Sequence, residues 1–455
     1  MKFISRASMP DEERWRVYNK IAVKILPLVL LGYTIACIDR LNVAFAKLQM
    51  GDDLGLSNAM YGFGAGIFFV GYCLFEIPSN MILHKVGARL WLARIMIVWG
   101  ILCAGTMLVQ TPVQFYVMRF LLGIAEAGFY PGALLYITYW FPRFARGQAT
   151  SVMLLGTSVA ALLGGPLAGS IMSGMDGAAG WRGWQWLFLL EGLPAVVIGG
   201  IVWLVLRNGP HDAAWLTADE KAMVNADLAA DQDGQPEGHR HAYGDAFRNA
   251  NIWCLVGANF CNLCTLYGIQ FWLPTIIVQV SGTGVLATGM IAAGMAILPM
   301  ATLVLYARHS DRTGERRWHA VTGFMISLCG LVLAGFGSLH PGLVLAGLAI
   351  AQCGVAATSI SIFSLPATFV LGAAAATGFA LITTLGNFAG YASPYLIGVL
   401  RDGTGSFSLP FFGLAALALL GAAIILVTPA LRVKAVAKAP QPATGAEPVA
   451  DPASF

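Results

Sequence analysis

The sequence predicts an all-α membrane protein of twelve transmembrane helices in two six-helix halves. Three observations carry that reading. Of the 455 residues, 57% are hydrophobic and only 11% charged, and mean hydropathy is +0.71, whereas soluble domains are about 25% charged. Runs long enough to cross a bilayer core, roughly 20 mostly apolar residues each, recur at even spacing along the chain. A single long polar stretch, Arg207 to Arg248, divides those runs six and six.

The expected spans are 22 to 45, 58 to 83, 90 to 110, 113 to 141, 147 to 173, 184 to 206, 250 to 280, 285 to 306, 318 to 338, 341 to 365, 371 to 400 and 407 to 431. The organisation that follows is an N-terminal segment at 1–21, a first half at 22–206, a linker at 207–249, a second half at 250–431 and a disordered tail at 432–455. No cleavable signal peptide is expected, because the first apolar run follows a polar segment and is too long for an h-region. Within the linker, Thr217-Ala-Asp-Glu220 has capping-box spacing, so a short helix is expected to start there and run to about Leu228. Gly234, Pro236 and Gly238 then suit a flexible connector.

Orientation follows from the basic residues. With both termini inside, 22 of the 27 Lys and Arg fall on inner segments or helix ends, only Lys47, Arg182 and Arg401 fall outside, and the remaining two, Arg40 and Arg119, lie within expected spans. The pI of about 8.6 therefore reports topology and gives no support for nucleic-acid binding. All eight cysteines lie within expected spans, and Cys261 and Cys264 read as packing residues in an apolar helix rather than as a metal or redox pair. Neither a phosphate-binding G-x-x-x-x-G-K-[ST] run nor an H-E-x-x-H run is present, so ATP-driven transport and zinc hydrolysis have no sequence support.

A weak repeat relates the halves: Lys85, Gly87 and Arg89 after span 2 keep the spacing of Arg312, Gly314 and Arg316 after span 8. Parallel repeats with a site at their interface are a known transporter design. Gly62, Gly64 and Gly66, then Gly123, Gly128 and Gly132, and Gly156, Gly164, Gly165 and Gly169 are spaced for close helix approach.

Ionisable groups inside spans cost about 2.5 to 3.5 kcal/mol each on insertion scales, so they need a reason. The first half has Asp39 and Arg40 in span 1, Glu76 in span 2, and Arg119 and Glu126 in span 4. Arg119, Gly123 and Glu126 share one helical face, and Tyr33 sits seven residues before Arg40. Two guanidinium groups at similar depth suit a carboxylate, and two nearby acids suit protons; a static ion-pair network is the alternative. Glu76, beside Pro78, and Glu191, at a Glu-Gly-x-Pro turn in span 6, read as structural. The second half replaces charge with polar groups: Asn259, Asn262, Gln270, Gln352, Ser359, Ser361, Thr383, Thr384, Asn387 and Tyr391. Asn387, flanked by Gly386 and Gly390, is the best candidate for substrate contact. Phe271-Trp-Leu-Pro274 suggests a broken end to span 7.

At these residues the chain resembles the anion:cation symporter family of the major facilitator superfamily. The matching stretches are Ile38-Asp-Arg-Leu-Asn-Val-Ala-Phe-Ala46, Gly71-Tyr to Glu76-Ile-Pro-Ser-Asn80, Arg119-Phe-Leu-Leu-Gly-Ile-Ala-Glu-Ala-Gly-Phe-Tyr-Pro-Gly132 and Trp184-Gln-Trp-Leu-Phe-Leu-Leu-Glu-Gly-Leu-Pro194. The segment Arg308 to His319 looks most like the branch of tartrate and hydroxyphenylacetate permeases. The resemblance implies the major facilitator fold, with Asp39 and Glu126 as proton-coupling acids and Arg40 and Arg119 as anion-binding arginines. It gives Tyr33, Tyr72 and Asn387 as hydrogen-bonding partners of a sugar-acid type substrate. Loop residues Lys85, Gly87, Arg89, Asp311, Arg312, Gly314 and Arg316 would act in gating, although His84 stands where the first loop normally has an acid. The function so implied is proton-driven import of a small organic carboxylate, such as a hydroxy-dicarboxylate, sugar acid or aromatic acid, across a bacterial inner membrane. The expected protein is a monomer and not an enzyme, without cofactor or metal, driven by the proton gradient. Anion exchange without net proton movement and a membrane carboxylate sensor are the alternatives.

Overall fold

A computed structural model of the chain describes residues 3–6, 9–233, 247–337, 340–365 and 373–428. The Gly234-Pro236-Gly238 connector and the tail from 432 lie outside the described residues. The regular elements described are helices. The first half comprises α1 (Glu12–Asp53), α2 (Asn58–Val86), α3 (Ala88–Gly105), α4 (Pro112–Glu126), α5 (Phe129–Thr138), α6 (Arg143–Gly174) and α7 (Gly183–Val205). A connecting helix, α8 (Ala218–Asp233), follows. The second half comprises α9 (Ala250–Ser281), α10 (Val285–Thr313), α11 (Arg317–Gly335), α12 (Pro341–Ser364), α13 (Ala373–Asn387), α14 (Ala389–Thr404) and α15 (Ser408–Val427).

Eleven stretches among the described residues are long and apolar enough to cross a membrane, with α4 and α5 counting as one. The eleventh expected span is the pair α13 and α14, which is interrupted at Phe388. The anticipated break at Phe271–Pro274 does not occur: α9 runs unbroken through Pro274 to Ser281. Helices tolerate an internal proline where neighbours cover the freed backbone, and Phe271, Trp272, Leu273 and Pro274 are all buried. Nor is there a turn at Glu191, since α7 continues past Pro194.

The halves meet along α2 against α14, α6 against α10, and α1 against α9. The α6–α10 contact is backbone on backbone: a Cβ on Gly165 would come within 2.6 Å of the Gly289 carbonyl oxygen. Helix α8 starts with a reciprocal capping box, in which the Thr217 amide donates to Glu220 and the Glu220 amide to Thr217 Oγ1. It docks on the first half through Arg14 to Asp227 at 2.9 Å, Lys20 to Glu220 at 2.7 Å and Arg146 to Asp231 at 3.3 Å. The hydrogen bond from Lys20 holds the Glu220 carboxyl below the usual range.

Candidate functional site

The site begins with a break. Glu126 is the last residue of α4, because Gly128 adopts φ +87°, a left-handed conformation that favours glycine, and α5 restarts at Phe129. One turn earlier, Gly123 lets α4 touch α2: a Cβ there would lie 2.0 Å from the Phe68 carbonyl oxygen. The Glu126 side chain, 2% exposed, then meets the Arg40 guanidinium of α1 in a buried ion pair. Arg40 also lies over the Tyr72 ring at 5.2 Å and the Phe68 ring at 5.6 Å.

Arg119 is placed differently from Arg40. It is fully buried, packs on Phe68 at 4.9 Å, and makes one long bond to the Ala65 carbonyl at 3.4 Å. Its Nε and Nη1 have no acceptor. Its neighbour on the α4 face is not its partner, since Glu126 pairs with Arg40 instead. The Arg40 side chain is 25% exposed, so it alone of the two is open to a solute in this conformation.

Asp39 makes no bond to this cluster, although it lies within electrostatic reach of Glu126 and Arg119. Adjacent residues on a helix point about 100° apart, and Asp39 faces α3, where its carboxylate accepts from Trp99 Nε1 at 2.7 Å and Cys103 at 3.4 Å. Tyr33 packs against Tyr130, their rings tilted at 34° with centroids 5.6 Å apart, just past the α4–α5 break. Tyr72 stacks on Phe68. Asn387 closes α13 and accepts from the Tyr267 hydroxyl at 3.1 Å. Tyr267 belongs to the same centre: it packs on Phe69 at 4.5 Å and lies within electrostatic reach of Arg40. Sequence reasoning passed over it because one tyrosine in an apolar span carries no cost that demands explanation; its position four residues before Phe271 was the available signal. Glu76 accepts from Thr384 of the second half at 2.8 Å, an inter-half bond.

Several other polar residues of the second half bond within that half. Asn259 donates to the Ile382 carbonyl, Asn262 to Ser359, and Thr383 to backbone one turn back. In the first loop Arg89 binds the Trp203 carbonyl at 2.6 Å and Gly87 has φ +94°. In the second, Gly314 caps α10 with φ +67° and Arg316 pairs with Asp311 at 2.8 Å. His84 Nδ1 sits 3.4 Å from the Tyr139 hydroxyl. Lys85 and Arg312 lie at the C-terminal ends of α2 and α10.

At the end of the bundle opposite α8 the halves are tied together. Asp402 of α14 accepts from the Asn58 and Ala59 amides at 3.1 and 2.8 Å, capping the start of α2. Arg401 and Lys47 both reach Asn58 Oδ1 at 3.2 Å. Lys47 lies over Trp272 at 4.7 Å, and Tyr61 donates to the Phe271 carbonyl at 2.9 Å.

A helical bundle in two halves, tied at one end and carrying buried charge at its centre, is the architecture of a membrane transporter. The major facilitator superfamily model matches residues 29–394, and the chain belongs to that family. It is 42% identical over 91% of its length to a Pseudomonas putida protein named as a metabolite transporter, NicT, covering 94% of that protein. It is 41% identical over 90% of its length to an Agrobacterium vitis protein named as a tartrate transporter, covering 91% of that one. The crystal structure of a D-xylose-proton symporter superposes with a TM-score of 0.74 at 16% identity, covering 90% of this chain and 98% of the other, a likeness of fold. The chain is a transporter rather than an enzyme.

Proposed function

We propose that this transporter imports a small organic carboxylate together with protons, by alternating access of its two halves. The observation that carries the reading is the buried Arg40–Glu126 pair beside the acceptor-poor guanidinium of Arg119. A carboxylate that reaches Arg40 competes with Glu126 for the same donors. Once the substrate anion takes the guanidinium, Glu126 loses its counter-charge in a buried setting, and uptake of a proton relieves the cost. Substrate and proton therefore promote each other's binding, as linkage requires. Rocking of the halves brings Arg119 to the substrate, with Tyr72, Tyr33 and Asn387 supplying hydrogen bonds. The loop residues Lys85, Gly87, Arg89, Asp311, Arg312, Gly314 and Arg316 bear on that rocking. The termini lie on the cytoplasmic side of a bacterial inner membrane, so the end closed by Asp402 faces outward.

Relatives named as tartrate transporters support a hydroxy-diacid as the first ligand to try. Purified protein is screened by thermal shift against tartrate, sugar acids and aromatic acids, and the stabilising acid is then labelled for proteoliposome uptake. Accumulation in empty vesicles driven by an inward proton gradient is the expected result. Exchange of internal for external anion with no response to that gradient would replace symport with antiport.

A further inference from the structure

Glu191 is the buried acid that the arginine centre leaves unused. It lies in mid-α7, 4% exposed, paired with no cation among the described residues, and Asn42 is its hydrogen-bonding neighbour. An ionised carboxylate left so at bilayer depth costs several kcal/mol, so its presence calls for a reason. Its surroundings offer one. Glu191 lines a cavity of about 90 Å³ together with Asn42, Gln270, Pro274 and Gln352. A buried water needs roughly 10–15 Å³ of such space and two or more polar partners, and this cavity meets both needs.

Asp39, by contrast, is sealed. It is 1% exposed, with Trp99 and Cys103 bonded to its oxygens. Between the cavity and Asp39 stands Asn42, which lines the cavity, neighbours Glu191, and donates to Cys103 Sγ at 3.6 Å. The titratable groups facing Glu191 are Asp39 of α1 and Cys103 of α3. The α6 residues that share a cavity lining with it, Ala160, Ala161, Gly164, Gly165 and Leu167, are apolar and carry no titratable group.

We propose that Glu191 is a proton-relay residue, taking protons from water in this cavity and exchanging them with Asp39 behind α1. This rests on Asp39 being a coupling acid. In the loading direction a hydronium in the cavity gives its proton to the Glu191 carboxylate and leaves as water. The Glu191 acid then passes a proton to the Asp39 carboxylate, which leaves Glu191 ionised and Asp39 neutral. Release runs the same steps backwards. Asn42 is the positioning residue, holding the two acids on either side of its amide.

The test uses the full chain in lipid vesicles and the proton itself as probe, with no substrate. Infrared difference spectra after a pH jump follow the carboxylic acid bands, and the Asp39 band is the one lost in Asp39→Asn. In Glu191→Gln that band is expected to rise about tenfold more slowly, because proton transfer through a positioned acid is removed. Glu191→Asp, which keeps the acid, is expected to restore the rate to within about threefold. A merely structural Glu191 predicts the reverse tolerance, with the isosteric Gln harmless and the shortened Asp disruptive. An Asp39 band rising at the wild-type rate in a folded Glu191→Gln protein would overturn the relay, as would the absence of any Asp39 band. Failure of the coupling reading shows elsewhere, as gradient-driven accumulation that survives in both Asp39→Asn and Glu126→Gln.

Discussion

The two halves of the molecule solve the same packing problem with different chemistry. The first half buries Asp39, Glu76, Arg119, Glu126 and Glu191. The second buries Asn259, Asn262, Thr265, Ser361 and Ser393 in the same kind of helix, and most of these bond to neighbouring backbone or to one another. Charge is thus concentrated where α1, α2 and α4 pack together, while the second half presents neutral hydroxyl and amide groups at Tyr267, Thr384 and Asn387. The lesson is a division of labour. An ion pair moved against a partner of fixed charge would have to be broken at each rocking step, at about 3–5 kcal/mol for a buried pair. With the ion pair confined to one half, a half that rocked past it would exchange single hydrogen bonds, about 0.5–1.5 kcal/mol where both groups are neutral and about 1.5–3 kcal/mol where a carboxylate such as Glu76 accepts from Thr384.

The largest expected effect comes from removing the charge itself. Arg119→Ala is expected to weaken substrate binding about 100-fold or more, since hydrogen bonds to charged groups contribute about 1.5–3 kcal/mol each and a guanidinium supplies two. Arg119→Lys should recover little, because an ammonium lacks the planar fork. Isothermal titration with the acid found by the thermal-shift screen measures both. Near-normal affinity in a folded Arg119→Ala protein would place the anion on Arg40 alone. Arg40→Ala should weaken binding and also lower the unfolding temperature, since it leaves Glu126 buried without a cation. Arg119→Ala removes a side chain that has no such partner, so the difference between the two unfolding temperatures sharpens the pairing seen here.

These charges were legible in the sequence because an intramembrane Arg or Glu carries a cost that must be met. Their pairing was not. Helical spacing put Arg119 and Glu126 on one face, but which guanidinium meets Glu126 depends on how α1 is rotated against α4 and on the break at Gly128. The same rotation takes Asp39 away from its neighbour Arg40, something no spacing rule along α1 alone reveals. Breaks were misjudged for a related reason. Pro274 advertises a kink that tight burial suppresses, whereas the interruption at Phe388 has no proline at its own position.

Next in size is the effect of neutralising the acid of the pair. Glu126→Gln keeps the side-chain shape and a hydrogen-bond acceptor but never releases a proton. Gradient-driven accumulation in vesicles is expected to fall to background while exchange of labelled for unlabelled substrate persists, because the loaded carrier still reorients and the empty one does not reset. Full accumulation in Glu126→Gln with loss in Asp39→Asn would move the coupling proton to Asp39. Titrations of the two acids interact if both carry it, so the pair is assayed together.

Smaller changes are expected in the neutral half. Tyr267→Phe removes one hydroxyl and leaves Asn387 Oδ1 without its donor, a cost of about 1–3 kcal/mol if the amide finds nothing else. Binding weakened by about tenfold, with the proton-gradient response intact, fits a neutral sensing role for α9 and α13. A complete loss of gradient coupling in Tyr267→Phe would break the division between the halves, because a residue of the second half would then be handling charge.

The smallest effect tests a place where the second half does offer charge to the first, at Arg401 and Asp402. Asp402 sits at the start of α2, its carboxylate accepting the Asn58 and Ala59 amides and the Asn58 side chain at 2.8–3.1 Å. A carboxylate at a helix N-terminus is worth about 0.3–1 kcal/mol, because it meets unsatisfied amides and the positive end of the helix dipole. Asp402→Asn keeps an oxygen acceptor and removes the charge, so the tie between α2 and α14 is weakened rather than cut. The closed arrangement at this end should then open about two- to fivefold more often. Hydrogen exchange with mass spectrometry reads this directly, as faster deuterium uptake in peptides covering 54–66 and 391–403. The two peptides distinguish the explanations. If Asp402 merely caps α2, only the first amides of α2 speed up and the α14 peptide is unchanged. If it holds the halves together, both peptides speed up by the same factor, because each is uncovered in the same opening. A matched rise would show that charge across the interface is kept for the gate, where it is broken once per cycle at low cost, and kept away from the substrate centre, where it would not be.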